Sequence, residues 1–257
     1  MKDDFGFEVP VESIPLPSRG AVYPPTSPLH QQETVDVRAM TAREEDILTS
    51  RALIKKGTVI TELIKSCLID KRIEVSSMIS GDRNALMVGL RVTGYGSDYN
   101  VEVECPECSE KSKQTFNLSE LAIKPLEIQP AEPGTNLFEF HLPVTKKNVR
   151  FKFLTGADEE EIMVIQERKK KAGAIADNLV TTRMQYAIQM VEGKTDKALI
   201  SNFVRNMPAK DSLMLRNFID KNEPGIDMKA YMDCPSCSES SEVRIPLGAA
   251  FFWPDAG

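Results

Sequence analysis

At 257 residues the chain is long enough for one large domain or two small ones, each with a core of its own. Hydrophobic residues at 41% and charged residues at 27% are globular values. No apolar run reaches the ~18 residues that cross a bilayer. A net charge of −6 gives no support to general binding of nucleic-acid phosphates.

The first segment, residues 1–34, starts with acids where a signal peptide needs bases and an apolar stretch, so a soluble, non-secreted chain is expected. It holds Pro10, Pro15, Pro17, Pro24, Pro25 and Pro28. That density predicts an extended arm with little structure of its own, suited to lying along a partner. Residues 35–118 follow as a first unit. Val35 to Leu48 reads as a strand, then Thr41 opening an acidic helix start, with Glu44 placed for a capping box. Ile60, Leu63, Ile64, Cys67 and Leu68 share one helix face, and a short helix is predicted around Asn84 to Leu90. Gly94-Tyr95-Gly96 reads as a turn, and Tyr99, Val101 and Val103 alternate as a strand into Cys105.

Residues 119–148 carry Pro125, Pro130, Pro133 and Gly134, a linker running into a strand over 137–142 that hairpins with Val149 to Phe153. Residues 149–247 form a second unit. Here Thr155 with Asp158 makes a weaker capping box, and Val180, Met184, Ala187, Ile188 and Val191 share a helix face. A short helix is predicted over Lys210 to Ile219, and Met228, Ala230 and Met232 alternate into Cys234. Residues 248–257 are an aromatic tail whose Phe251, Phe252 and Trp253 either pack back on the core or anchor a partner.

The two units read as copies. Cys105 to Leu118 and Cys234 to Leu247 agree at seven of fourteen positions without a gap. The expected fold is α+β: two duplicated strand–helices–strand–Cys-Pro-x-Cys units joined through one shared, zinc-ribbon-like four-cysteine site.

Each Cys-x-x-Cys turn places two sulfurs on one side of an ion, so a tetrahedral zinc needs two turns. Cys105 and Cys108 supply one, and Cys234 and Cys237 the other, with 125 residues between Cys108 and Cys234. One structural Zn2+ per chain is expected, and four thiolates leave no open position for catalysis. A redox dithiol and a pair of metal-free turns are the rival readings; redox pairs usually open a helix, and both pairs here sit between strands. His30 and His141 have no motif around them, Cys67 reads as a small buried hydrophobe, and Arg168 to Lys171 as a solvated helix face. No P-loop, nucleophile elbow or zinc-protease motif occurs, so the chain reads as a structural protein rather than an enzyme.

Several stretches carry a resemblance. Leu16-Pro17-Ser18-Arg19-Gly20 followed by Tyr23-Pro24, then Val37-Arg38-Ala39-Met40-Thr41 with Glu44 and Glu45 and the helix to Leu68, resemble the baseplate proteins of T-even-type contractile-tailed phages, the group that includes hub assembly proteins. The Cys-Pro-x-Cys strand pattern and the helix at Asp211 to Ile219 fit as well. The resemblance covers most of the chain. It implies a tail component of the virion, assembled in the host cytoplasm, with no catalytic residues, present in multiple copies and contacting other tail and baseplate proteins rather than nucleic acid or membrane. The cysteine ligands come from spacing and not from this likeness. The competing function is a zinc-ribbon binding module acting on nucleic acid or on a replication or transcription complex.

Overall fold

A computed structural model describes residues 8–171, 178–246 and 249–252 of the chain. The fold is mixed α/β. It opens with strands β1 (Val11–Pro15) and β2 (Thr34–Arg38), paired antiparallel from Val11↔Arg38 to Pro15↔Thr34. The expectation of a loosely structured N-terminal arm therefore fails for residues 8–34. The prolines sit in and beside tight turns, such as those closed by Arg19 N–H to Leu16 O and Ser27 N–H to Pro24 O. The turns fold Leu16, Val22, Tyr23 and Leu29 into the core. Gly20 packs tightly within these turns: at φ +68° a Cβ there would lie 2.3 Å from Leu29 O.

Helices α1 (Ala42–Thr49), α2 (Arg51–Lys56), α3 (Val59–Cys67) and α4 (Ser80–Tyr95) follow. The face predicted on α3 is buried through Leu63, Ile64, Cys67 and the capping Leu68. Strands β3 (Asp98–Glu104) and β4 (Lys111–Asn117) form the hairpin that carries Cys105 and Cys108 at its tip. A short β5 (Ile123–Lys124) leads to β6 (Phe138–His141) and β7 (Asn148–Phe151), the hairpin expected from the alternation there.

Then come α5 (Gly156–Lys171), α6 (Leu179–Ala187), β8 (Ile188–Val191), α7 (Lys197–Arg205) and α8 (Ala209–Asn222). Ile188 and Val191 are thus not on the helix face predicted for them. The helix ends at Ala187 and the chain pairs with β7 instead, Val191 opposite Val149 and Ile188 opposite Phe151. Over so short an apolar run, helical and strand periods cannot be told apart, and the open edge of β7 decides. Short β9 (Gly225–Ile226) pairs with β5, and β10 (Lys229–Asp233) and β11 (Ser240–Arg244) form the second cysteine hairpin. A last 3-10 turn spans Ala249–Phe252.

Among the described residues two large apolar clusters hold this together, and both draw on both halves of the chain. One gathers the β1–β2 and β6–β7 hairpins with Leu86 and Leu90 of α4 and Leu215 of α8. Phe138, Phe151 and Phe153 stack at its centre, with ring centroids 4.6–6.0 Å apart. The other joins the cysteine hairpins to α4 and to Phe251 and Phe252. These two aromatics pack back: Phe251 lies edge-on to Tyr99 at 5.2 Å, and Arg91 Nε donates to Phe251 O at 2.8 Å. Trp253 and Leu247 lie outside the described residues.

Candidate metal centre

The two cysteine turns are built alike. In each, a strand delivers the first cysteine, proline stiffens the turn, and the main chain closes on itself. Cys105 N–H donates to Glu110 O at 2.9 Å and Ser109 N–H to Cys105 O at 2.9 Å. In the second turn Cys234 N–H donates to Glu239 O at 3.0 Å and Ser238 N–H to Cys234 O at 2.9 Å. The serine after the second cysteine is left-handed in both, with φ +61° at Ser109 and +62° at Ser238. Sequence reading passes over these serines, although the shared Cys-Ser-Glu triplet marks them.

The turns face each other, and the structure brings together all four predicted cysteines. Their sulfurs lie within 4.8 Å of one another, with Cys105 and Cys234 buried. The cross-turn separations are 3.8 Å for Cys105 to Cys237 and 3.6 Å for Cys108 to Cys234. A sulfur tetrahedron around a metal with bonds of ~2.3 Å has edges of about 3.8 Å, so the donor set fits a tetrahedral ion. The near-equality of the two crossed distances is what a two-fold exchange of the turns requires.

The electrostatics point the same way. Main-chain N–H groups of Cys237 and Ser236 aim at the Cys234 sulfur and hold its thiol down at about 6. At Cys108 the Glu110 N–H also lowers the thiol, but burial and the three neighbouring cysteines outweigh it and push it up to about 12. Four thiols this close cannot all ionise on their own, and a divalent cation removes that conflict. Oriented N–H groups supply the outer layer that cysteine–metal centres need.

Two further matched features emerge from the structure. Thr41 and Thr155 each open a helix, and each donates by N–H and by hydroxyl to the acid three residues on, Glu44 or Asp158, at 2.7–2.9 Å. A base three residues before each threonine completes the set: Arg38 grips Glu44 with two bonds of 2.6 and 2.9 Å, and Lys152 reaches Asp158 at 2.6 Å. Burial works against the Glu44 charge, but Arg38, Ser66 and Thr41 together hold its carboxyl well below the usual range. The second feature is an aspartate third in its helix, Asp82 in α4 and Asp211 in α8. Asp82 takes Ser18 N–H at 2.9 Å, with Ser18 and Tyr23 hydroxyls at 2.6 Å. Asp211 takes Val144 and Thr145 N–H at 2.7 and 3.0 Å. Each clamps the loop of a β-hairpin. The signal was present in the sequence: both stand 23 positions before the first cysteine that follows them, 82 to 105 and 211 to 234.

The family of T4 bacteriophage base plate proteins matches residues 21–253, most of the chain. The chain belongs to this family. No curated protein and no solved structure matches it. As a baseplate protein it has a structural role in the phage tail, where the family implies contacts with other tail proteins and suggests no enzymatic activity. Among the described residues no helix is long and apolar enough to cross a membrane.

The remaining candidates of this baseplate protein find ordinary partners. His30 Nδ1 lies 2.6 Å from Tyr23 O, and His141 Nδ1 2.9 Å from Asn148 Oδ1. Cys67 is fully buried on α3, and burial pushes its thiol up to about 12. Arg168 to Lys171 form the last turn of α5, where they suit the negative end of the helix dipole.

Proposed function

We propose that the protein is a structural or assembly piece of the baseplate hub region, built from two copies of one unit and clamped at their junction by a single structural zinc. The observation that carries this reading is the cysteine tetrad: two turns with the same internal hydrogen bonds, brought together across 125 residues of intervening chain at tetrahedral spacing. Duplication is supported by the paired threonine–acid caps and the paired aspartate clamps. It is also supported by a shared bridge, since Val37 opposite Leu68 after α3 matches Phe151 opposite Ile188 after α6. On this reading each copy begins with its hairpin, at β1 and at β6, and the third strand β8 is reduced in the first copy to that one bridge. Zinc is preferred for four thiolates in a tetrahedron with no open position.

The role is to be a rigid joint. Structural zinc contributes directly to folding, and here it ties the end of one unit to the end of the other. The rival reading, a zinc-ribbon module on nucleic acid, gains nothing from the hairpin faces: Glu102 and Glu104 stand opposite Lys113 and Lys111, and Lys229 is bound to Glu242. The test is quantitative mass spectrometry of purified tails after complementation with the cysteine variants. Cys105→Ser and Cys234→Ser should each remove the protein from particles to a similar degree. Particles that incorporate both variants normally would overturn the role of the joint.

A further inference from the structure

The two units also meet away from the cysteines, and this second junction is one-sided. The start of α4, in the first unit, lies against the start of α5, in the second. Ser80 N–H donates to Leu154 O at 2.8 Å and Gly156 N–H to Met78 O at 2.9 Å, on either side of a bridge between Ile79 and Thr155. Arg83 passes over Gly156 to reach Glu160 at 3.4 Å. When like units join through unlike faces, each contributes one face and leaves the other unused.

Matched residues locate the unused faces. Val75, Met78, Asp82 and Leu86 recur at the same spacing as Val204, Met207, Asp211 and Leu215. Met207, Pro208 and Ala209 therefore stand in the second unit where Met78, Ile79 and Ser80 stand in the first. By the capping threonines, Met40, Thr41 and Ala42 correspond to Leu154, Thr155 and Gly156. The main-chain groups equivalent to the junction's two hydrogen bonds are Met207 O, Ala209 N–H, Met40 O and Ala42 N–H. None has a hydrogen-bond partner among the described residues. Thr41, Ala42, Ala209, Lys210 and Leu213 around them are exposed. Pro208 fits the place of Ile79, because the bonds are made by the neighbours of the bridged residue and not by its own N–H. The side chains compensate as well: Arg83 lies where Gly156 has no Cβ, and the open faces carry Ser212 and Ala42 instead. Lys210 breaks the match. It stands in the place of Gly81, which lies against Pro224 O with no room for a Cβ, so a repeat of the junction opens at that edge. The residue equivalent to Pro224 is Tyr95, whose hydroxyl donates to Glu45 at 2.8 Å, so the displaced Lys210 meets a carboxylate.

We propose that molecules of this protein join head to tail, the start of α8 on one meeting the start of α1 on the next, and so repeat between chains the junction that α4 and α5 make within one. The inference rests on the two-unit reading above and adds the surface and the partner. Sedimentation of the full-length, zinc-loaded protein over a range of concentrations tests it, and the parent is expected to associate as concentration rises. In Ala42→Pro the N–H offered to the next molecule is gone. Ala42 is the first residue of α1, where proline is tolerated, and Thr41 before it is already extended. Zinc content and thermal midpoint should therefore hold while the dissociation constant rises about tenfold. Lys210→Glu, on an exposed side chain, should weaken association in the same direction. A photo-crosslinking phenylalanine analogue at Leu213 should reach residues 41–49 of a second molecule, as mixed isotope-labelled and unlabelled chains would reveal. Strict monomers at every concentration, a crosslink from Leu213 to α8 of the second molecule, or both variants associating as the parent does would each overturn the proposal. Zinc read on the same samples keeps it apart from the reading beneath it. One zinc per chain in a strict monomer defeats the head-to-tail contact alone, whereas a zinc-free protein that still joins Leu213 to α1 defeats the zinc joint and supports the contact.

Discussion

Asp82 and Asp211 occupy the same place in their helices and clamp the same kind of loop, yet their carboxyls shift in opposite directions. Asp82 is deeply buried, and burial raises it despite three donors. Asp211 feels burial too, but the N–H groups of Val144 and Thr145 outweigh it and hold the carboxyl below its usual range. The partners explain the difference. Ser18 and Tyr23 meet Asp82 inside the core, each almost wholly buried. Asp211 is itself covered, but the loop that covers it carries an exposed Val144 and so lies at the surface. Position in the helix fixes the contact, while depth and donor type fix its electrostatics.

The contrast breaks most sharply on truncation. Asp82→Ala strands Ser18 N–H and two buried hydroxyls, and is expected to cost roughly 3–5 kcal/mol in chemical unfolding. Asp211→Ala strands two N–H groups on a loop at the surface, where water can replace the carboxylate, and is expected to cost about 1–2 kcal/mol. Equal losses would refute the depth argument. The amide substitutions reverse the order. In Asp82→Asn the new amide meets a Ser18 hydroxyl that can turn and accept, whereas in Asp211→Asn it meets main-chain N–H groups that cannot. Asp211→Asn should therefore cost more than Asp82→Asn, by about 1 kcal/mol.

The smallest effect, and the sharpest in sign, is pH dependence. A carboxyl lowered in the folded state adds stability above its unfolded value, near about pH 4, and loses it as pH falls. A carboxyl raised in the folded state adds stability in acid and loses it as pH rises. The gap between the parent and Asp211→Asn should widen with rising pH, and the gap to Asp82→Asn should narrow. Urea titrations at several pH values read both slopes, and slopes of the same sign would contradict the assignment.

The same contrast between contact and context explains what the sequence revealed. The cysteine tetrad was legible because ligand chemistry restricts residue type and spacing together. The caps at Thr41 and Thr155 were legible because they are local. The matched spacing of Asp82 and Asp211 to the cysteines marks them as a pair in the sequence, but their role as clamps stays hidden until the distant loops are known. Residues 8–34 depart from the expected arm for a related reason: proline density suggests an arm, but Ile14, Leu16 and Tyr23 are core residues whose neighbours lie on α4 and beyond. Deleting residues 1–15 removes β1, so it is expected to lower the stability of the isolated protein. The strand β8 was hidden because its partner β7, not its own pattern, sets its conformation.

Metal analysis of the purified full-length chain by plasma mass spectrometry tests the central claim, a single ion shared by both cysteine turns, most directly. The account predicts one zinc per chain, lost alike in Cys105→Ser and Cys234→Ser and retained in Cys67→Ser. Two zincs, none after expression in zinc-replete medium, or a Cys234→Ser protein that keeps its metal would contradict it.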